Sequence, residues 1–431
     1  MNEHLANSQH RGLLVAASFL IAGLLSYLSI RNALAIHFAD LQTAAGLERA
    51  TELEPRDARN WYLLGRYWQY NLENPDTPEA IRAYQASLAV NPASADTWLD
   101  LAMAYESEDK IPAARDAFLR ARKAYPLSAE GAWRYGNFLL RQGQLHPAFL
   151  EMRHSVEVDP NRGAEAFSRS LRADPDVDEI LNEVLPPVSS VYVDVIRDQA
   201  TDGKTDIAFK VWERLASLHP RLSLQDVFVF VDILKQKKQI QDASRVWDQA
   251  VGFAGFSDLQ GPAGSVLWDG GFESGITGGG FSWRIPANSP ALQFRLDTQE
   301  KHSGKQSLRV IFTGKSNVTF MDLCHYVPVQ PDTNYEFSAW ARTRALTTDQ
   351  GIRFRLQPVG DENASAALTP EIHGTQPWAL LEKSWTSGKD TRQVQVCLTR
   401  LPSNVGDDKV QGTVWIDDVA LVPAPAERSQ P

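Results

Sequence analysis

Three prolines stand 34 residues apart in the first half of the chain, at Pro92, Pro126 and Pro160. Proline lacks a backbone N–H and clashes with the preceding helical turn, so each of them ends an α-helix. Regular spacing of this size predicts stacked helical hairpins, because each hairpin leaves an apolar face that only a neighbouring hairpin covers. The first half of the chain is therefore predicted to be an all-α repeat array.

Large and small residues recur at matching positions around these prolines. The unit after Pro92 carries, in order, Trp98, Leu101, Ala102, Tyr105, Ala114, Phe118, Ala121 and Pro126. The preceding unit carries Trp61, Leu64, Gly65, Trp68, Ala80, Tyr84 and Pro92, and the following one carries Tyr135, Gly136, Leu139, Ala148, Met152 and Pro160. Two weaker units follow, with Tyr192, Val195, Ala208, Trp212 and Pro220, then Phe230, Ala243, Trp247 and Ala250. Residues 161–190 interrupt the rhythm.

This pattern resembles the tetratricopeptide repeat, which implies a solenoid over residues 40–255 with no chemistry of its own. Arrays of this family line a concave groove with the first helix of each unit. The family's inward positions match a predicted partner-binding groove of Tyr62, Arg66, Gln69, Leu99, Met103, Glu106, Trp133, Asn137 and Leu140. The alternative is that these residues only shape an inert spacer.

The amino-terminal region contains 19 residues without a charge, "GLLVAASFLIAGLLSYLSI", at positions 12–30. At about 1.5 Å per helical residue, this run just crosses a hydrocarbon core. We expect a single transmembrane anchor after a tail of residues 1–11. The alternative is a cleaved signal peptide ending at "ALA", residues 33–35. If the amino terminus stays in the cytoplasm, both the anchor and the signal peptide place the rest of the chain outside the cytoplasm. We expect a single-pass protein of a bacterial inner membrane, with the bulk of the chain on the periplasmic side.

The charge and the cysteine content of the chain disfavour some classes of partner and of metal site. The net charge of −10 disfavours general binding to nucleic acid or to anionic lipid, since both require Lys- and Arg-rich surfaces. Two cysteines exclude a four-thiolate zinc site. In an oxidising compartment a disulfide between Cys324 and Cys397 is expected, and two buried free thiols are the alternative.

The helical period stops near "GFAGFSDLQGPAGS", residues 252–265. Short alternating runs follow up to residue 422, among them "SLRVIF", "YEFSAWAR", "IRFRLQPV" and "RQVQVCL". Such runs between Gly, Pro, Asn and Asp predict an antiparallel sandwich, and roughly 160 residues fit a two-sheet jelly roll. The fold class is thus multidomain, α then β: one transmembrane helix, an all-α solenoid and a carboxyl-terminal β-sandwich.

The phrases of this second domain come in a specific order: "WDGGFESG", Trp283, "HSGKQSLRV", "VPVQPDTNYEFSAWAR", Trp378, Trp385 and "VWIDDVAL". They resemble carbohydrate-binding modules of the family 4/9/22 type, which are galactose-binding-like jelly rolls, over residues 262–424, followed by a tail of 425–431. The resemblance implies that a glycan stacks on exposed indoles. Trp283 and Trp378 are the better candidates and Trp385 is another, although jelly-roll cores also need large aromatics. Trp340 is expected in the core. Arg353 and Arg355 either line a cleft or form a solvated face.

Adjacent aspartates, Asp417 and Asp418, interrupt the apparent strand "GTVWIDDVALV". Strict alternation puts one of them on the buried face, where an unpaired charge is costly. Many modules of this type tie their first strand to their last with a structural Ca²⁺. The matching residues are Glu273 and one of the two aspartates, with Asp418 favoured, and carbonyls near Ser303 and Gly304 would add oxygens. The alternative is that backbone N–H groups satisfy Asp418 without a metal.

Three common enzyme motifs are absent from the sequence. "FTGKSN" and "DGKTD" lack the glycine that a phosphate-binding loop needs, and no H-E-x-x-H or G-x-S-x-G occurs. The sequence leaves open one kind of catalytic site, a glycosidase-type pair of acidic residues that are distant in the chain and brought together by the fold. We therefore expect a non-enzymatic, membrane-anchored scaffold whose solenoid binds a protein partner and whose jelly roll binds glycan, in extracellular polysaccharide or envelope biogenesis. The alternative is a purely structural assembly factor whose jelly roll binds protein or caps the repeats.

Overall fold

The chain divides into two compact units, Met1–Pro186 and Pro187–Pro431. The computed structural model describes residues 2–259, 264–275, 277–360, 365–406 and 408–424. Of the two predicted tails, residue 1 and residues 425–431 lie outside the described residues.

A long helix, α1 (Asn2–Asp40), begins the first unit. Its part Arg11–Asp40 has the length and the apolar composition of a membrane span or of a signal sequence, and none of its most apolar stretch is buried. The helix continues past residue 30, because residues 31–40 contain neither proline nor glycine. Ala39 near its end packs with Leu47 of α2 (Ala44–Leu53). One unbroken helix therefore joins the apolar stretch to the first helical layer.

Three hairpins follow: α3 (Ala58–Tyr70) with α4 (Thr77–Val90), α5 (Ala95–Ser107) with α6 (Ile111–Ala124), and α7 (Ala129–Arg141) with α8 (Leu145–Val158). The second helix of each hairpin ends two residues before Pro92, Pro126 or Pro160, as the spacing predicts. Several first turns are capped by a side chain, including those of Ser94 and Ser128, which accept an N–H three residues on.

Small and large residues fit the hairpins together. A Cβ at Gly65 would lie 2.5 Å from the ring of Tyr84, so only glycine allows this crossing. Phe118 of α6 contacts two rings of α7, Tyr135 at 5.5 Å and Phe138 at 5.1 Å between centroids. Neighbouring hairpins thus share one core.

Two shorter helices, α9 (Gly163–Ala173) and α10 (Val177–Glu183), occupy the stretch that interrupts the repeat rhythm. The second unit opens with two further hairpins, α11 (Ser189–Thr201) with α12 (Thr205–Ser217) and α13 (Phe228–Gln236) with α14 (Ile240–Phe253).

Nine strands form the rest of the second unit among the residues described there: β1 (Leu292–Asp297), β2 (Ser307–Thr313), β3 (Phe320–Pro328), β4 (Asn334–Leu346), β5 (Arg353–Pro358), β6 (Ala367–Leu368), β7 (Gly374–Thr386), β8 (Gln393–Arg400) and β9 (Gln411–Pro423). They make a five-stranded sheet in the order β1-β2-β9-β4-β7 and a four-stranded sheet in the order β3-β8-β5-β6. The pairings are antiparallel.

Alternate residues of both sheets face a common core, which includes Phe337, Phe354, Val396 and Val414. Their polar neighbours face outward, as expected for a sandwich. The predicted fold class, an apolar amino-terminal helix, then stacked helices, then an antiparallel β-sandwich, is confirmed.

A β-bulge in β9 accommodates the two adjacent aspartates. Trp340 of β4 pairs with Asp417, whereas Ser338 pairs with Ala420, so β9 has one residue more than β4 across this interval. Asp418 is the extra residue and has a φ of 47°. The bulge shifts the alternation by one, and Val419 returns to the core. The expectation of strict alternation was wrong here, and both aspartates lie off the core face.

Aromatic residues join α13 and α14 to the sandwich inside the second unit. The ring of Trp247 on α14 lies 5.2 Å from Trp268 and 6.2 Å from Phe281, between centroids. A Cβ at Gly280 would lie 2.3 Å from Trp247, so the glycine-rich turn lets the helix approach. This packing places α14 next to β3, and Lys235 of α13 lies 4.6 Å from the ring of Tyr326 on β3.

Candidate functional site

The predicted groove residues lie on α3, α5 and α7, the first helices of three successive hairpins. Tyr62 Oη donates to Asp100 Oδ2 at 3.0 Å, and Arg134 Nη1 donates to Asp100 Oδ1 at 2.9 Å. Further along, Arg141 donates twice to the carboxylate of Glu106 at 2.7 Å. These hydrogen bonds connect consecutive hairpins, so the structure brings the predicted groove together on one side of the array.

Asp100 is the centre of this groove and was missed from the sequence. It is only 5% exposed, and it also accepts a hydrogen bond from Tyr70 at 3.5 Å, with Arg66 Nε 4.0 Å away. A cavity of about 230 Å³ opens beside it. Burial, followed by the charge of Asp100, raises the pKa of Tyr62 to about 12. The available signal was an acidic residue inside the apolar run "WLDLA".

The other predicted groove residues divide into accessible and buried ones. Trp133 is half-buried, and the guanidinium groups of Arg162 and Arg169 each lie 5.6 Å from its ring. Leu99 and Asn137 are buried and contribute packing instead of contact surface. The remaining three are half-buried: Gln69 accepts from the Tyr84 hydroxyl, Met103 contacts Arg134, and Leu140 packs on the shared core.

The outer face of the four-stranded sheet carries a row of planar polar side chains. Tyr326 of β3 pairs in register with Gln395 of β8, which pairs with Gln357 of β5, so the three form a line across the strands. Gln395 Nε2 donates to Tyr326 Oη at 3.1 Å, and Arg355 Nη2 donates to Gln357 Oε1 at 2.6 Å. All four side chains are half-buried and therefore accessible.

Both predicted arginines of the sandwich lie on this face. Arg353 pairs with Glu371, and Arg355 lies opposite Cys397 in the β5–β8 pairing. Cys397 is bonded to Cys324 of β3, with an S–S distance of 2.09 Å. The disulfide thus ties the two strands that carry Gln395 and Tyr326.

The tryptophans do not form the predicted sugar platform. Trp283 is 1% exposed and its Nε1 donates to the carbonyl of Asp269 at 3.0 Å, while Trp385 is 7% exposed. Both belong to the core, and their predicted role in stacking a sugar is wrong. Trp378 is half-buried, but it lies on β7, in the opposite sheet from Arg353 and Arg355.

The outer face of the five-stranded sheet is covered by its own side chains. Trp340, which we expected in the core, is half-buried there and stacks on His302 with centroids 4.0 Å apart. Trp415 on the same face is 1% exposed, because the guanidinium groups of Arg309, Arg342 and Arg344 lie 4.9–5.9 Å from its ring. This face therefore offers little free indole surface.

The predicted calcium ligands meet at the loop 302–306, between β1 and β2. Asp417 accepts three backbone N–H groups, from His302 at 2.8 Å, Ser303 at 3.1 Å and Asp418 at 2.9 Å. Asp418 accepts from Ser303 Oγ at 2.7 Å and contacts His302 Nδ1 at 2.6 Å. Asp417, not the favoured Asp418, is the fully buried carboxylate.

Glu273 reaches the same loop from the other side and accepts the N–H of Lys305 at 2.7 Å. Its Oε1 and Asp417 Oδ1 lie 3.8 and 3.7 Å from the position of a Cβ at Gly271, so both carboxylates face one glycine. Oxygen atoms are the ligands that Ca²⁺ requires. No group of three or more His, Cys, Asp or Glu side chains in the described part of the chain forms a metal site. An ion here therefore needs carbonyl or water oxygens as well.

Burial raises the pKa of two carboxyl groups in this part of the sandwich. It raises the pKa of Asp417 from 3.8 to about 6, against the lowering effect of the hydrogen bonds from Ser303 and His302. Burial also raises the pKa of Asp269 to about 6. Backbone N–H groups therefore offset the effect of burial on these carboxylates only in part.

No protein-family model matches the chain, and no curated protein matches it significantly. Among solved structures, it is similar to a family 16 carbohydrate-binding module, with 14% identity and a TM-score of 0.26 over 36% of this chain and 99% of that one. The CBM22-1 xylan-binding domain of Xyn10C from Paenibacillus barcinonensis has 16% identity and a TM-score of 0.25, over 38% and 97%.

A third similar structure is YrrB, described as a TPR protein with an unusual peptide-binding site, with 14% identity and a TM-score of 0.26 over 49% of this chain and 94% of that one. The structural neighbours thus include tetratricopeptide-repeat proteins and carbohydrate-binding modules, which are non-catalytic kinds of domain. Because these identities and TM-scores are low, the two folds of this chain are assigned from its own hairpins and sheets.

Proposed function

We propose that this chain is a non-enzymatic scaffold held at a membrane by α1, with a solenoid groove for a protein partner and a sandwich that binds glycan. The glycan would lie on the outer face of the four-stranded sheet. A bacterial inner-membrane assembly that makes or exports extracellular polysaccharide, with the bulk of this chain on the periplasmic side, is the setting that this domain combination favours by analogy.

The line of Tyr326, Gln395 and Gln357 with Arg355 carries the glycan part of the proposal. Planar amide and guanidinium groups offer donors and acceptors at fixed angles, which suits the hydroxyl groups of a sugar. The four side chains remain accessible on a rigid sheet. The opposite face is closed by the arginines over Trp415 and by His302 over Trp340.

The cluster around Asp100 supports the protein-binding part. Arg66 is half exposed at the rim of the cavity, and its Nε is 4.0 Å from Asp100. A partner carboxylate can displace this weak pairing, because a guanidinium binds a carboxylate best through two parallel hydrogen bonds. The groove therefore suits an extended segment that carries an acidic side chain.

A structural Ca²⁺ shared by Glu273 and Asp417 is a further part of the proposal. The two carboxylates face one glycine, and burial raises the pKa of Asp417, so a cation beside it would offset the cost of ionising this group. The ion would tie the start of the sandwich to β9.

A purely structural assembly factor is the second candidate, and one observation favours it. The aromatic contact of Trp247 with Trp268 and Phe281 supports it, because a sandwich that caps the repeats would pack on the last hairpin in this way. In this alternative the four-stranded face binds protein or nothing.

Titration of the full chain in detergent with cellohexaose, xylohexaose, mannohexaose and polygalacturonate, followed by calorimetry, tests the glycan function. We expect at least one ligand to bind and Gln395→Ala to weaken it about tenfold, which corresponds to roughly 1.4 kcal/mol and to a lost hydrogen bond. Gln293→Ala on β1 makes the same chemical change on the other sheet and should have no effect. Absence of binding by all four glycans, or equal losses in both variants, would favour the structural candidate.

A further inference from the structure

A cavity of about 460 Å³ lies where α13 meets the four-stranded sheet. Helix α13 lines it with Asp232, Lys235 and Gln236, and the sandwich lines it with Arg284, Tyr326 and Gln393. Tyr326 is also one end of the polar row on the sheet, so the cavity continues the proposed glycan face up to the helix.

Charged groups hold the helix in this place. Lys235 Nζ donates to Asp232 Oδ1 at 3.0 Å and to the carbonyl of Gly280 at 2.7 Å, and it lies 4.6 Å from the ring centre of Tyr326. Arg284 Nη2 donates to Asp232 Oδ1 at 2.8 Å, and its Nη1 donates to the carbonyl of Gly278 at 2.9 Å. The wall that α13 makes is therefore anchored to the sandwich by hydrogen bonds and ion pairs.

Other groups in the cavity are available to a ligand. Gln393 is only 4% exposed, and its Nε2 has no hydrogen-bond partner among the described residues. A buried amide without an acceptor costs about 1–3 kcal/mol, so a ligand oxygen placed there would relieve that cost. The ion pairs engage Asp232 Oδ1, which leaves Oδ2 to accept a hydroxyl. Gln236 is exposed at the end of α13.

We propose that α13 and the four-stranded sheet form a composite subsite for an uncharged, hydroxyl-rich sugar residue of the glycan. Asp232 accepts a sugar hydroxyl, the amide of Gln393 donates to a sugar oxygen, and Gln236 closes the rim. An anionic group suits the subsite less well than a hydroxyl, because Lys235 and Arg284 already bind Asp232 and backbone carbonyls and Asp232 Oδ2 would repel a second anion. The inference rests on the proposed glycan function and assigns part of the specificity to a helix outside the sandwich.

The subsite is tested on the full chain in detergent with the uncharged hexasaccharides cellohexaose, xylohexaose and mannohexaose and with the anionic polygalacturonate, titrated by calorimetry. We expect Gln236→Ala, Gln393→Ala and Asp232→Asn each to weaken the binding about fivefold, the scale of one hydrogen bond. Gln241→Ala, an exposed change on α14 outside this cavity, is the matched control and should bind as the unaltered chain does. Circular dichroism melting identifies any variant that loses its fold, and Gln236→Ala at an exposed position is expected to keep it.

The outcomes separate this inference from the function on which it rests. If Gln395→Ala weakens binding while the folded cavity variants bind as tightly as the unaltered chain, the sheet binds glycan and the composite subsite is refuted. If none of the three hexasaccharides and no polygalacturonate binds, both are refuted. If polygalacturonate binds best and its affinity falls in Gln236→Ala, the uncharged class of ligand is refuted.

Discussion

Replacing Asp417 by asparagine tests what compensates the buried charge in β9. The carboxylate is fully buried and accepts N–H groups from His302, Ser303 and Asp418. Asparagine keeps the shape but presents only one acceptor oxygen. Directed at His302 and Ser303, it leaves the N–H of Asp418 facing an amide nitrogen, which costs about 1–3 kcal/mol.

The charge has the opposite effect, and its size depends on pH. Burial raises the pKa of Asp417 from 3.8 to about 6, so the folded chain holds this proton more tightly than the unfolded chain does. Stability therefore falls as pH rises from about 4 to about 6, by about 3 kcal/mol over this range. Asparagine does not titrate and lacks this decrease. In chelator, we expect Asp417→Asn to be less stable than the unaltered chain at pH 4 and at least as stable at pH 8.

Calcium changes the comparison at pH 8. An ion bound only by the folded chain adds about 2.7 kcal/mol at a hundredfold excess over its Kd. If Glu273 and Asp417 share Ca²⁺, the ion should stabilise the unaltered chain by about this amount, and Asp417→Asn should lose most of the gain. The order of stability in chelator would then be reversed in calcium.

Urea unfolding of the full chain in detergent, followed by tryptophan fluorescence, measures both effects, because Trp283, Trp385 and Trp415 are buried in the sandwich. Asp418→Asn is the matched control: the same chemical change at a half-buried position whose φ of 47° asparagine tolerates. Parallel pH curves for Asp417→Asn and the unaltered chain would refute the buried-charge argument. Equal unfolding with calcium and with chelator would eliminate the metal.

Three further changes test the packing. Trp283→Ala should destabilise the sandwich by about 3–5 kcal/mol, since the indole is buried and its removal would leave a cavity. An unchanged urea midpoint would contradict the burial of this residue. Gly65→Ala should destabilise the repeats by about 1–3 kcal/mol against the Tyr84 ring, whereas Gly252→Ala, whose Cβ meets nothing within 4 Å, should not; thermal melting by circular dichroism compares them. Cys324→Ser should lower the stability of the sandwich by about 4 kcal/mol, as expected for a disulfide that closes a long loop; reduction of the unaltered chain should have the same effect, and a midpoint insensitive to reductant would contradict it.

Local rules written in the sequence determined most of the architecture. The 34-residue proline spacing predicted where α4, α6 and α8 end, because a proline cannot continue a helix wherever the helix packs. The alternating runs predicted the strands for a similar reason, since a period of two suits only an extended chain with one buried face. The pairing of Cys324 with Cys397 was expected because the chain has no other thiols.

Tertiary structure decided which residues are accessible and which lie together. The sequence does not distinguish a tryptophan that packs into the core from one that faces solvent, so the prediction for Trp283 was wrong. Only the strand pairing showed that Trp378 and Arg353 lie on opposite sheets. The bulge at Asp418 depends on the pairing of β9 with β4, which periodicity within one strand cannot reveal. The groove around Asp100 and the cavity beside α13 likewise join residues from separate hairpins or from a helix and a sheet. Such sites arise from packing between distant segments, and that packing is the information that a linear pattern does not contain.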